Sequence, residues 1–195
     1  MSDHHSFVVR VCVAVCVALG SVSATKAQPV PPPPVGDITV DRAEPTALQE
    51  VRKLIAAGQG KQALTRAELH LAKNPRDAQM RFVRGVILTD LSDTTAARGA
   101  FQQLVDDFPE LPEPYNNLAV LYAADGELDR ARRALEMALL AKPDYATAHE
   151  NMGDVYLQMA AEAYQRASAL QPTNRAISTK LNLTREIVTK TRPAR

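Results

Sequence analysis

The chain has 195 residues, which is enough for one modest domain with a hydrophobic core. Apolar residues make up 46% of it, aromatic residues only 5%, and tryptophan is absent, a profile that favours helices packed through small side chains over a β-sandwich. The net charge is +1, and both cysteines, Cys12 and Cys16, lie near the N-terminus, which excludes disulfides and cysteine metal sites from the remainder.

Residues 1–27 have the pattern of a signal peptide. Their longest uninterrupted apolar run, residues 11–19, is shorter than the ~20 residues of a membrane span. Small residues follow in "SVSATKAQ", so cleavage after Ala24 or Ala27 is expected, with an uncleaved anchor or a misassigned start as alternatives. A cysteine-free exported chain without a membrane span in its mature form fits the bacterial periplasm.

Residues 28–44 are rich in proline. Five of the first seven residues of "QPVPPPPVGDITVDRAE" are proline, which favours an extended polyproline spacer. The segment is either a disordered lead-in or a tether for the domain that follows.

Residues 45–190 contain an internal repeat of 34 residues. Four columns recur in register: Pro75, Pro109 and Pro143; Ala63, Ala97 and Ala131; Leu54, Leu88, Tyr122 and Tyr156; and Val51, Gly85, Ala119 and Gly153. The repeats span about 45–77, 78–111, 112–145 and 146–172, followed by a capping helix over 173–190 and a basic tail over 191–195.

The third repeat, "PYNNLAVLYAADGELDRARRALEMALLAKP", resembles the consensus of the tetratricopeptide repeat (TPR) family. The family's tryptophan is missing from every copy, where Ala47, Arg81, Tyr115 and His149 stand instead. The resemblance implies an all-α, right-handed solenoid of antiparallel helix pairs that binds proteins or peptides. The residues themselves offer no catalytic constellation, so no enzymatic activity is expected, with an envelope hydrolase as the remaining alternative.

Small residues and turn residues explain the period physically. Gly85, Ala119 and Gly153 would let the two helices of a repeat approach closely. Gly58 and Gly126 would allow a left-handed turn between those helices, with Ser92 at the same site in the second repeat. Each column proline would end a second helix and lead into the next repeat.

From its column tyrosine to its column proline, the fourth repeat is five residues shorter than the third, and it lacks the turn glycine. Residues 146–170 carry an apolar stripe at helical spacing, formed by Met152, Tyr156, Met159, Ala163, Ala167 and Leu170. The spacing predicts one fused helix over residues 146–170, and the alternative is a tight turn near residues 159–161. The capping helix would begin at Thr173 or Asn174 and bury Ile177, Leu181, Thr184 and Val188.

No catalytic constellation, metal motif or cofactor motif is present in the repeats. His70 and His149 are expected to be packing or surface residues, and no phosphate-binding loop occurs. Charge is unevenly distributed: residues 52–84 carry +6, residues 106–154 carry −7, and residues 173–195 carry +5. The distribution keeps the rod soluble or steers a charged partner or a second copy; nucleic acid is not expected in an exported protein.

The resemblance places a peptide-binding groove on the first helices of the repeats. Asn117 and Asn151 occupy the same column, where an amide could pair with the backbone of an extended peptide. Docking through the convex face or the capping helix, as a structural or assembly subunit, is the alternative. The residues expected to line the groove are Arg52, Gln79, Phe82, Val86, Glu113, Asn116, Asn117, Val120, Glu150, Asn151 and Asp154.

Overall fold

A computed structural model describes residues 46–191, in which the chain forms eight α-helices and no strand. The helices are α1 (Ala47–Ala56), α2 (Gly60–Leu71), α3 (Ala78–Asp90), α4 (Thr94–Asp107), α5 (Pro112–Ala124), α6 (Leu128–Ala141), α7 (Ala146–Leu170) and α8 (Arg175–Thr191). The predicted signal peptide, the proline-rich linker and residues 192–195 of the basic tail lie outside the described residues.

The first three repeats are helical hairpins that stack in chain order. Helices α1 and α2, α3 and α4, and α5 and α6 pack within their repeats, while α2 with α3, α4 with α5, and α6 with α7 join one repeat to the next. This nearest-neighbour stacking is the organisation of a solenoid, so the predicted fold class is confirmed.

The turns between paired helices depend on a left-handed residue. Gly58, Ser92 and Gly126 have φ angles of 70°, 61° and 78°, at the same position of three consecutive repeats. In each case the next backbone N–H reaches back to the carbonyl of Leu54, Leu88 or Tyr122 and closes the end of the first helix. Ser92 adopts this conformation with steric strain that glycine avoids.

Close helix approach is confirmed in the second repeat, where Gly85 faces Phe101. A Cβ atom on Gly85 would lie 2.6 Å from the Phe101 ring, so no larger residue fits without a shift. Phe101, Leu104 and Leu135 are completely buried and fill the space between the stacked helices. The core of the central repeats therefore combines small residues on one helix with large residues on its partner.

The fourth repeat is one continuous helix, α7, of 25 residues, which confirms the fused helix and excludes the turn near residues 159–161. Its apolar stripe is only partly covered: Met152 is buried, whereas Tyr156 and Leu170 are 52% and 84% exposed. The expected close approach at Gly153 is wrong, because a Cβ atom there would meet nothing within 4 Å. Without a folded-back second helix, no partner faces this glycine.

Helix α8 packs against α7 and ends the described solenoid. The Asn174 side chain accepts hydrogen bonds from the backbone N–H groups of Ala176 and Ile177, so Asn174 is the N-cap. Leu181 and Thr184 are buried, and Ile177 and Val188 are half-buried, which confirms the predicted inner face.

Candidate binding surfaces

The predicted groove residues differ widely in exposure. Arg52, Gln79 and Glu150 are exposed; Phe82, Glu113, Asn151 and Asp154 are half-buried; Val86, Asn116, Asn117 and Val120 are buried. The buried members lie on α3 and α5, the central first helices, and ten of the thirteen residues of α5 are buried. Neighbouring helices on both sides of α5 account for this, so the middle of the face is tightly packed and its ends are open.

Asn117 does not present its amide to solvent, although the sequence analysis expected it to face the groove. Its side chain is only 7% exposed, and its Nδ2 donates to the Glu113 carbonyl one turn earlier in α5, at 2.9 Å. The amide is therefore used within its own helix, where it satisfies a polar group that burial would otherwise leave unpaired.

Asn151 pairs with Asn116 across the junction of α5 and α7. The Asn151 Nδ2 donates to Asn116 Oδ1 at 2.8 Å, and Asn116 is only 3% exposed. Asn151 and Asp154 also line a small cavity of about 10 Å³ together with Val120. The structure thus brings Asn116, Val120, Asn151 and Asp154 together, whereas Arg52 and Gln79 belong to the first two repeats and lie outside this cluster.

A larger cleft is lined by residues of α2, α3 and α4 and of the loop between α2 and α3. We call it the arginine cleft; its volume is about 480 Å³, and it is lined by Leu71, Pro75, Arg76, Arg81, Arg84, Ala100, Gln103 and Asp107. Arg81 pairs with Asp107 at 2.7 Å and Arg84 with Glu68 at 3.3 Å. Two of its three arginines therefore already have carboxylate partners.

The equivalent cleft one repeat later has a different lining. This tyrosine cleft, of about 230 Å³, is lined by Gln102, Val105, Tyr115, Leu118, Tyr122, Arg130, Arg133, Ala134 and Met137. Arg81 and Tyr115 hold the same position in the two clefts, which is the column of the missing tryptophan. Both residues stand in place of the tryptophan of the family pattern, and each lines the cleft of its own repeat.

Both histidines of the repeats take part in hydrogen bonds. His70 Nε2 lies 2.8 Å from Asp77 Oδ2, and His149 Nε2 lies 2.8 Å from the Pro143 carbonyl oxygen. Burial acts to raise the pKa of Asp77, but hydrogen bonds from the Met80 backbone and from His70 outweigh it, so the pKa is lowered. Within residues 46–191, no three His, Cys, Asp or Glu side chains are grouped as metal ligands would be.

Models of the tetratricopeptide repeat match residues 48–112 and residues 88–152, which together make up more than half of the chain. The chain belongs to the tetratricopeptide repeat family. Repeats of this family mediate protein–protein interactions. The hairpins α1–α2, α3–α4 and α5–α6 are the first three TPR units of the chain.

Known TPR proteins resemble the chain at moderate identity. An Arabidopsis thaliana protein, the chloroplastic tetratricopeptide repeat domain-containing protein PYG7, is 29% identical over 133 residues, 59% of this chain and 44% of its own length. The chain therefore matches less than half of that relative.

Solved TPR structures share the fold. A thermophilic TPR protein from Thermus thermophilus is 25% identical, with a TM-score of 0.54 over 75% of this chain and 82% of its own. The second TPR domain of human RPAP3, solved with the HSP70 peptide SGPTIEEVD, is 14% identical, with a TM-score of 0.52 over 56% of this chain and 92% of its own. Among the helices of residues 46–191, none is long and apolar enough to span a membrane.

Proposed function

We propose that the chain is a non-enzymatic interaction scaffold of the bacterial cell envelope and that its N-terminal segment directs its export. The scaffold holds a peptide or protein segment in the groove formed by the first helices of its repeats. Family membership supports the scaffold role, and the pattern of residues 1–27 supports export. The groove assignment depends on the junction between α5 and α7.

The cluster at this junction carries the proposal for the groove. The amide pair of Asn116 and Asn151 lies beside Asp154, and the exposed Glu150 precedes Asn151 in α7. Carboxylates at the rim attract a basic or mixed-charge ligand, while the Asn151 amide could exchange its partner for a peptide backbone. The HSP70 peptide SGPTIEEVD in the human RPAP3 structure is acidic, whereas Glu150 and Asp154 of this chain favour a ligand of the opposite charge.

The arginine cleft favours a second candidate, an assembly or structural subunit that docks through its convex face. This cleft has a volume of about 480 Å³, compared with about 10 Å³ for the cavity beside Asn151. Volumes of several hundred Å³ are typical of sites that enclose a ligand group. Arg76, which is exposed at the rim of this cleft, would favour an acidic partner.

Two charge reversals separate these candidates. Glu150→Lys changes the groove and Arg76→Glu changes the cleft; both residues are exposed, so neither substitution is expected to lower the melting temperature. Each variant of the full chain would be used to capture partners from bacterial envelope extracts, with the recovered proteins quantified by mass spectrometry. Under the groove proposal, Glu150→Lys lowers recovery by about tenfold or more and Arg76→Glu leaves it unchanged.

The reverse result would favour docking through the arginine cleft. Unchanged recovery with both variants would contradict both candidates. Export is tested separately by N-terminal sequencing of the protein recovered from the soluble envelope fraction. The proposal expects a first residue of Thr25 or Gln28, and an intact Met1 would contradict cleavage.

A further inference from the structure

The first half of α7 exposes a face that is buried in the second and third repeats. Tyr122 is 6% exposed in the third repeat, whereas Tyr156, its counterpart in the fourth, is 52% exposed. Gly85 and Ala119 are buried against a second helix, whereas Gly153 in the same column has open space around it. This face includes Gly153 and Tyr156, and it lacks the second helix that would cover it.

The sequence of that second helix is nevertheless present in the second half of α7. Aligning Pro172 with Pro143 matches Ala160, Ala163, Tyr164 and Ala167 with Ala131, Ala134, Leu135 and Ala138, all of which are buried in α6. The five missing residues then correspond to residues 125–129, which form the turn of the third repeat and the start of α6. The fourth repeat has thus lost the connection and the counterpart of Leu128, while the four positions that are buried in α6 are kept as Ala160, Ala163, Tyr164 and Ala167.

In each of the first three repeats, one residue of the first helix is paired with one residue of the second helix, and a smaller residue in one is combined with a larger residue in the other. Val51 and Ala67 share one buried cluster, Gly85 lies against Phe101, and Ala119 and Leu135 share the central cluster. A glycine thus faces an aromatic ring in the second repeat, and an alanine accompanies a leucine in the third. The fourth repeat keeps the glycine–aromatic combination as Gly153 and Tyr164.

Gly153 and Tyr164 cannot contact each other within one chain. They are eleven residues apart on the same straight helix, which separates them by about 16 Å. If Tyr164 packs on Gly153 as Phe101 packs on Gly85, the tyrosine must come from another copy of the chain.

We propose that a second copy of this chain supplies the missing helix by reciprocal exchange. The second half of α7 and the whole of α8 from each copy pack beside the first half of α7 in the other, with Gly153 opposite Tyr164 of the partner copy. The two α7 helices run antiparallel and cross near residues 158 and 159. Shortening a hinge until it cannot fold back is a known route to such exchange.

Charge and connectivity agree with this arrangement. Residues 173–195 carry +5 and residues 106–154 carry −7, so the exchange places the basic end of one copy beside the acidic repeats of the other. In α8, Ile177, Leu181 and Thr184 match Ala148, Met152 and Val155 of α7, 29 residues earlier. Helix α8 would thus continue the partner's solenoid as the first helix of a fifth repeat. The interface is symmetric and closes at two copies.

Crosslinking between two singly substituted chains tests the register. Gly153→Cys and Tyr164→Cys are introduced separately into full chains carrying Cys12→Ser and Cys16→Ser, and the two are co-produced with different affinity tags. In the proposed antiparallel pair, the same residue of the two copies is offset by ~16 Å along the helix axis. A bifunctional maleimide with a shorter reach is therefore added, so that it cannot join two identical positions. The proposal expects crosslinked heterodimers from the mixture and at least tenfold less crosslinking from either chain alone.

A matched control uses the same spacing on another face of the helix. Asp154→Cys and Gln165→Cys are also eleven residues apart, but they are rotated by about 100° around α7. This pair should crosslink at least tenfold less than the Gly153 and Tyr164 pair. Equal crosslinking of both pairs, or none of the Gly153 and Tyr164 pair, would overturn the proposed exchange.

Two further variants test association by sedimentation or light scattering of the uncrosslinked chain. Gly153→Leu fits the single chain, where nothing lies within 4 Å, but it would collide with the partner's Tyr164 and weaken dimerisation by about tenfold per site. Inserting the turn sequence DGELD after Gln158 should restore a hairpin and yield monomers. A wild-type chain that stays monomeric at high concentration, or an inserted chain that dimerises as wild type does, would contradict the proposal.

Discussion

The third and fourth repeats share several column residues of the repeat and reach different structures. In the third repeat, α5 and α6 fold into a hairpin through Gly126, which has a φ of 78°. In the fourth, five residues are absent, and the same helical halves continue as the single helix α7. Helical halves form in both repeats, but only the third repeat, which keeps the turn, closes on itself.

The turn of the third repeat also carries a polar network that the fourth repeat has lost. Arg98 of α4 forms ion pairs with Asp125 and Glu127, and Arg130 bonds Glu127 and donates to the Tyr122 hydroxyl at 2.9 Å. Both arginines also lie over the Tyr122 ring, at 5.3 Å and 4.1 Å from its centre. Asp125 and Glu127 lie in the stretch that the fourth repeat lacks.

The largest expected contrast is between the two tyrosines of the equivalent column. Tyr122→Ala removes a buried ring together with the hydrogen bond from Arg130, and should lower the free energy of unfolding by about 3 kcal/mol. Tyr156→Ala, its matched control, removes a ring that is half exposed and should cost less than about 1 kcal/mol. Urea unfolding of dilute protein measures both, and equal losses would mean that the fourth repeat is packed like the third.

Two glycines should respond to alanine with opposite signs. Gly126→Ala forces a Cβ atom into a left-handed conformation and should destabilise the chain by about 1–2 kcal/mol. Gly153→Ala lies in a regular helix with free space around it and should stabilise the single chain by about 0.5–1 kcal/mol. Thermal unfolding at low concentration separates the two, and a loss at Gly153 would contradict the open face described above.

The fold could be predicted from the repeat period, whereas the burial of the groove residues could not. Proline and alanine columns at 34-residue spacing located the hairpins, and the absence of a turn glycine led to the fused helix α7. The groove residues were assigned by column alone. The position of a residue within the repeat does not show how closely the neighbouring helices α6 and α7 pack on α5. The burial of Asn117 was therefore not predicted.

The turn that the fourth repeat lacks is present in the second repeat in a strained form. Ser92 adopts a φ of 61°, where Gly58 and Gly126 stand in the neighbouring repeats. Ser92→Gly should relieve that strain and raise the free energy of unfolding by up to about 1 kcal/mol. Because Ser92 is exposed, removing its side chain costs little packing. Glycine also makes the unfolded chain more flexible, which reduces the gain. A chemical denaturation midpoint below that of wild type would contradict the prediction.

The smallest effect concerns pH and the network that only the third repeat has. Hydrogen bonding from Arg130, with the charges of Arg130 and Arg98, outweighs burial and lowers the pKa of Glu127 below its ordinary value of 4.5. A carboxylate whose pKa falls on folding stabilises the protein fully above its unfolded pKa, and that contribution is lost as pH falls through the folded pKa. Glu127→Gln should therefore be less stable than wild type near pH 7, and the difference should shrink below about pH 4.5. Asp129→Asn serves as a control because it changes a nearby carboxylate whose ion pair with Arg132 is long, at 3.9 Å. A stability difference between wild type and Glu127→Gln that stays constant from about pH 7 to about pH 3 would show that the ion pairs with Arg98 and Arg130 do not stabilise the turn.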